Sequence, residues 1–154
     1  MDIRTYQKGD VIFRQGERGE CMYAIISGIV GIYKEFETAH ESRIAELGNG
    51  DFLGEMELVE SMPRSATAVV LSDTAELDRI TDDNYLDFFT ENPVQVYLIM
   101  KQLSERLRET TKNYAEACRT VYETLQTVKR GKEPDPRLLE QQQRFSRAYE
   151  GMAE

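Results

Sequence analysis

The sequence predicts an α+β chain: an antiparallel sandwich or barrel of short strands, followed by helices of which the last is very long. Three observations predict it. Residues 3–80 break into strand-length runs rich in β-branched and aromatic residues, separated by glycine turns, with no 10–15-residue helical pattern between them. Residues 94–129 contain neither proline nor glycine, so roughly 36 residues can continue as one helix about 54 Å long. The 154 residues, 40% apolar and 9% aromatic, suffice for one hydrophobic core with an appendage.

The strands are expected at Ile3–Gln7, Val11–Arg14, Cys21–Ser27, Ile29–Phe36, Arg43–Leu47, Arg64–Leu71 and Thr74–Ile80. Gly9-Asp10, Gly16 to Gly19, Gly28, Gly48-Asn49-Gly50-Asp51 and Ser72-Asp73 supply the turns between them. In Cys21–Ile26 both alternating faces are apolar, as a strand buried on both sides requires. Thr81 is expected to cap a short helix running through Thr90, with Asp82 and Asp83 complementing the dipole of its first turn. Asn92-Pro93 ends that helix and opens the long one, because proline suits the first helical position.

Along the long helix, Val96, Met100, Leu103, Leu107, Thr110, Tyr114, Ala117, Val121, Thr124 and Val128 follow a 4-3-4-3 spacing, the signature of a coiled-coil seam. The domain before it, with a radius of gyration of roughly 12 Å, is too small to cover so long a stripe. Either a second chain covers it or the C-terminal segment folds back, and the parallel homodimer through 94–129 is the favoured reading. Gly131, Pro134 and Pro136 then break the chain, and residues 137–150 carry Leu138, Leu139, Phe145 and Tyr149 at helical spacing. That short helix either packs on the long one or docks a protein partner. The expected division is 1–92 for the strands and short helix, 93–130 for the long helix and 131–154 for a linker and short helix.

Charge narrows the function. The net charge is −9, which disfavours a protein that coats nucleic-acid or anionic-membrane phosphates. Residues 1–92 hold 8 basic and 19 acidic side chains, a net of −11, so an anion recognised there needs a local constellation. No apolar run is long enough for a signal peptide or membrane span. Two cysteines and one loop histidine, His40, offer neither a disulfide framework nor a metal site. No cofactor, no nucleophile–base pair and hence no enzyme is expected, and the working picture is a soluble, reduced, cytoplasmic protein.

The informative stretch is Gly50 to Val69. Strand alternation from Arg64 puts Arg64, Ala66, Ala68 and Val70 on one face, and Ser65, Thr67, Val69 and Leu71 on the other. A guanidinium among small residues is withdrawn from water and calls for an anion of matching geometry. Gly54 permits close backbone approach, the turn from Glu55 to Glu60 offers free N–H groups, and the acceptor-only Glu55 suits a ligand hydroxyl. The same residues also admit a plain salt bridge from Arg64 to Glu57 or Glu60.

From Gly9 to about Lys112 the chain resembles the cyclic nucleotide-binding domain family of the catabolite activator protein, protein kinase A regulatory subunits and cyclic-nucleotide-gated channels. The resemblance lies in Gly9-Asp10, the Gly16 to Gly19 turn, Ser27-Gly28 before Ile29-Val30, Gly50-Asp51-Phe52-x-Gly54-Glu55 and Pro63-Arg64-Ser65-Ala66-Thr67. It implies an antiparallel, jelly-roll-like β-roll flanked by helices, with a phosphate-binding cassette whose Glu-to-Arg spacing is nine. By that resemblance Arg64 would grip a cyclic phosphate, helped by Ser65. Glu55 would accept from a ribose 2′-hydroxyl, with backbone groups of Gly54 and Met56 nearby, and Ile32 would lie against base or sugar. Thr110 and Thr111, aligned from Asn92-Pro93, would meet an adenine amino group, one from each subunit; read without the family, Thr110 is a polar seam residue.

The resemblance therefore implies cyclic AMP, with cyclic GMP still open because hydroxyls both donate and accept. Glu57 departs from the family pattern, since a carboxylate beside the phosphate would repel it unless it points away. No recognition helix is legible after Lys129, so direct DNA binding is not expected. The implied protein is a stand-alone sensor whose long helix, as lid and dimer seam, relays the signal to a protein partner. The alternative is a dimerising interaction module that kept the roll without the nucleotide, or a sensor of another small effector.

Overall fold

A computed structural model describes residues 1–131, 133, 135–140 and 143, without the side chains of Glu57 and Leu58. Its contacts divide the chain into two units, Met1–Gln102 and Leu103–Glu154. In the first, eight strands form two four-stranded antiparallel sheets: β1 (Ile3–Gln7), β2 (Val11–Phe13), β3 (Cys21–Ser27), β4 (Val30–Lys34), β5 (Ser42–Leu47), β6 (Phe52–Leu53), β7 (Thr67–Val70) and β8 (Thr74–Thr81). One sheet runs β1-β8-β3-β6 and the other β2-β7-β4-β5, the β-roll expected. Three helices accompany them: α1 (Glu55–Glu60), α2 (Tyr85–Glu91) and α3 (Pro93–Lys129).

The two-sided burial expected of Cys21–Ile26 has a simple cause. Cys21, Tyr23 and Ile25 enter one core with Val30, Ile32, Leu47, Leu53, Ala68, Val70 and Leu77. Met22, on the opposite face, packs with Phe52 and Ile80 under Phe88, Phe89, Leu98 and Ile99. Sheet β1-β8-β3-β6 thus has the roll interior on one side and the helices on the other, and the exception is Ile26, exposed near the strand's end.

Strand β6 sits at the end of its sheet, pairing only with β3 through Tyr23↔Leu53 and Ala24↔Phe52. The Asp51 carbonyl accepts from the Ile25 N–H, and successive strand residues aim their backbone groups at opposite edges. Phe52 therefore turns its N–H and C=O to the open edge, where Gln102 of α3 meets both: Oε1 accepts from the Phe52 N–H at 2.9 Å and Nε2 donates to the Phe52 carbonyl at 2.8 Å. With Leu98 and Ile99, this seats the first ten residues of α3 on the roll unit.

Three local expectations change. The strand expected from Arg64 begins at Thr67, because residues 64–66 are held by the turn after β2 instead: Arg64 N–H donates to Glu17 O at 2.7 Å and Gly16 N–H to Arg64 O at 2.8 Å. Thr81 does not cap a helix. It ends β8, pairing with Cys21, and its N–H donates to Asn84 Oδ1 at 2.8 Å; Asn84 is the residue before α2. Strand β6, two residues long, has no counterpart among the expected strands.

In the second unit α3 continues to Lys129. Leu107, Tyr114, Val121 and Val128 on its expected seam are exposed, whereas Thr124 is buried, as is Thr120 one turn before. Residues 136–140 are helical; most of the helix expected over 137–150, including Phe145 and Tyr149, lies outside the described residues. Among the described residues no helix is long and apolar enough to cross a membrane.

Gly28, between β3 and β4, has φ +97°, and a Cβ there would stand 2.6 Å from the Thr74 carbonyl oxygen and 2.7 Å from the Ala75 Cα. Neither neighbour is a flexible side-chain end. Gly28→Ala is expected to lower unfolding free energy by about 2–4 kcal/mol, measured by urea denaturation; a loss under about 0.5 kcal/mol would contradict the contact.

Candidate ligand-binding site

The site is built where β6 turns into α1 and the chain returns to β7. Gly54 makes the turn with φ +75°, and a Cβ at that position would run into Arg64 Nη1. Only glycine fits, both for its backbone conformation and for the closeness of the guanidinium. The next residue, Glu55, opens α1 and is buried; Arg64 is equally buried, each at 4% of full exposure.

The guanidinium is held by backbone and by a ring. Nη1 donates to the Gly54 carbonyl at 3.1 Å, Nη2 donates to the Cys21 carbonyl at 2.5 Å, and Nη2 lies 3.6 Å from Cys21 Sγ. Its central carbon stands 4.2 Å from the centre of the Phe13 ring, a cation–π arrangement worth about 0.5–2 kcal/mol as water is excluded. Phe13 in turn stacks on Tyr23 with ring centres 6.2 Å apart. Burial, and then the hydrogen bond with Cys21, push the Tyr23 phenol well above its ordinary pKa of 10.0. That wall of the site stays uncharged.

Of the residues expected in the site, Gly54, Glu55, Met56, Arg64, Ser65 and Ile32 lie in the roll unit. Ile32 is buried and pairs with Ala68 across β4 and β7, in the core that also holds Cys21, Leu53 and Ala66. Small residues do surround the arginine's face, since Ala66 and Ala68 are buried with it while Ser65 is exposed. The Ser65 carbonyl accepts from Lys34 Nζ, which brings a second cation beside the cassette. Met56 is exposed on α1. Thr110 and Thr111 belong to the second unit and are exposed, with Thr111 Oγ1 donating to the Leu107 carbonyl at 2.8 Å. Glu60 is exposed, and the side chain of Glu57 lies outside the described residues.

Phe13, the Cys21 carbonyl and Lys34 were not legible as site groups. A carbonyl leaves no mark in a sequence, and Phe13 looks like any strand aromatic. A separate cavity of about 240 Å³ is lined by Arg14, Gln15, Glu35, Phe36, Thr38 and Thr67. Of the cassette motif it shares Thr67, whose Oγ1 accepts from the Gln15 N–H at 3.0 Å, and Arg14 is engaged by Glu37 at 3.0 Å.

Chemically, this is a buried guanidinium against a glycine turn, with a buried carboxylate on the residue that follows the glycine, groups suited to an anion that also carries a hydroxyl. Residues 3–92 match the model of the cyclic nucleotide-binding domain. The chain belongs to that family. It is 36% identical over 106 residues to the cyclic AMP receptor protein of Thermus thermophilus, a match covering 69% of this chain and 49% of that protein. It is 40% identical over 71 residues to the cAMP-dependent protein kinase regulatory subunit of Candida albicans, covering 46% of this chain and 15% of that one. Its fold is similar to the crystal structure of the Thermus thermophilus catabolite activator protein, with TM-score 0.65 and 30% identity over 84% of this chain and 63% of the other. The chain spans about half or less of the curated relatives named here.

If the Phe13 ring face steadies the guanidinium, Phe13→Leu is expected to lower unfolding free energy by about 1–3 kcal/mol. Phe13→Tyr, which keeps the face, should lose distinctly less. Equal losses in urea denaturation would reduce Phe13 to a space-filling role.

Proposed function

We propose that this domain binds a cyclic nucleotide, cyclic AMP, and passes the occupancy of its site to another protein by repositioning α3. The observation that carries the reading is the joint burial of Arg64, held against the Gly54 turn, and of Glu55, the residue after that glycine, in a chain of the cyclic nucleotide-binding family. A cyclic nucleotide has one phosphate charge, a free 2′-hydroxyl and an apolar base. Arg64 takes the phosphate through charge-assisted hydrogen bonds, with Ser65 and the backbone of Gly54 and Met56 beside it. Glu55, an acceptor, takes the 2′-hydroxyl, and Ile32 gives an apolar contact.

The choice of adenine follows the family resemblance, in which Thr110 and Thr111 would meet the adenine amino group; because hydroxyls both donate and accept, cyclic GMP is the alternative ligand. The name of the Thermus relative, a cyclic AMP receptor, points the same way.

The role is recognition and not catalysis: ligand shifts the population toward the conformer in which α3 contacts the base. The exposed seam of Leu107, Tyr114, Val121 and Val128 is covered by the same stripe of a second copy, giving a parallel homodimer. The receiving partner is a protein, in keeping with a net charge of −9.

Titration calorimetry with cyclic AMP tests the binding. The wild-type chain is expected to bind at about micromolar or tighter, and Arg64→Ala to lose about 2–5 kcal/mol. Equal heats from both proteins would remove Arg64 from the site, and heat from neither would leave an interaction module without the nucleotide. Light scattering tests the assembly: Val121→Asp should lower the observed mass toward that of one chain, and an unchanged dimer would move the interface off this seam.

A further inference from the structure

We infer that Gln102 is the positioning residue that makes the phosphate cassette and the root of α3 one mechanical piece. The inference rests on the cyclic-nucleotide reading of the site and adds a residue that none of the cassette motifs contains.

Phe52 is the hinge of the argument. It is almost fully buried and lies two residues before Gly54, whose carbonyl holds Arg64 Nη1. Its N–H and C=O face the edge of the sheet that β3 does not occupy. An edge in a partly buried place needs partners for both groups. A fifth strand would supply them from backbone; here one primary amide supplies them from a helix, with an acceptor at 2.9 Å and a donor at 2.8 Å on the same residue. A carboxylate, which only accepts, or an ammonium, which only donates, could not do both jobs at neutral pH. The Phe52 side chain, meanwhile, packs in the cluster that Leu98 and Ile99 of α3 cover.

The clamp is therefore made of backbone on one side and helix on the other. Any motion of Gly54 as Arg64 closes on an anion is carried through Leu53 to Phe52, and from there to a helix that runs without a break to Lys129. Apolar contacts alone would let the helix slide, since they are not directional; two fixed hydrogen bonds to one residue set its register.

The test uses the full chain with Gln102→Met, which keeps length and apolar stem, and Gln102→Glu, which keeps only the acceptor for the Phe52 N–H. Residue-resolved hydrogen exchange is measured without ligand and at saturating cyclic AMP, with calorimetry defining saturation. Without ligand, Phe52 amide protection should fall by about tenfold or more in Gln102→Met and be largely kept in Gln102→Glu. With ligand, the wild type should gain protection in both the cassette and α3, whereas saturated Gln102→Met should gain it in the cassette alone. Gln102→Glu carries the test where Gln102→Met does not fold: its weaker tie should leave a smaller gain in α3 than the wild type shows. Unchanged Phe52 protection in Gln102→Met, or a wild-type gain in α3 in any variant that folds and saturates, overturns the inference. A wild type that takes up no cyclic AMP overturns the functional reading instead, and the ligand-free exchange then decides whether the clamp exists.

Discussion

The constraint on which this domain depends is the cost of keeping the Arg64 guanidinium out of water. Its burial at 4% exposure would be prohibitive for an isolated cation, so the surroundings have to offset it atom by atom. The two carbonyls of Gly54 and Cys21 meet different nitrogens of the guanidinium, and the Phe13 face covers its plane. Each depends on a backbone feature elsewhere: the left-handed turn at Gly54, the start of β3 at Cys21, and the pairing of β2 with β7 that sets Phe13 opposite Ala68. The arginine's own backbone is tied to Gly16 and Glu17. Substituting lysine would keep the charge and lose the fork that lets one group address two carbonyls and a ring together.

The surrounding field makes local arrangement necessary. Residues 1–92 carry a net of −11, so an approaching anion is repelled at long range and gains only on reaching the site. Screening at physiological ionic strength confines that repulsion to roughly 8 Å. Inside, the Gly54 and Cys21 carbonyls and the Phe13 face are among the partners of Arg64, and the neighbouring Tyr23 is held neutral by burial. Lys34, on the carbonyl of Ser65, adds positive charge at the rim.

The division between what could be read and what could not follows from the range of the interactions. Turn glycines, strand runs and the proline-led helix are local signals, and they place seven of the eight strands and the helices α2 and α3. Arg64 and its small neighbours were found by alternation even though residues 64–66 lie outside a strand, because the turn that holds them also buries every second residue. Strand β6 is too short to have a pattern of its own; β3 defines it. Thr81 and Asn84 are both good helix-capping types, and the choice between them was made by the ladder with Cys21, which drew Thr81 into β8. Phe13 and Lys34 reach the site across 51 and 31 residues of chain, a relation that no single sequence displays.

Strand β3 shows why this roll can serve both a ligand and a helix. Its side chains alternate, so Cys21, Tyr23 and Ile25 line the interior while Met22 and Ala24 face the helices. The Cys21 carbonyl holds the arginine, and one residue later Met22 sits beneath Leu98 and Ile99. The wall of the site and the socket of α3 are thus the two faces of one strand. Close packing makes such a wall stiff, so under the proposed function a shift at Arg64 would be passed on to Met22. Strand β6 repeats the arrangement beside it, with Leu53 inward and Phe52 outward. Two adjacent strands, each with one residue toward the roll interior and the next toward the helices, give the first residues of α3 their footing on the roll.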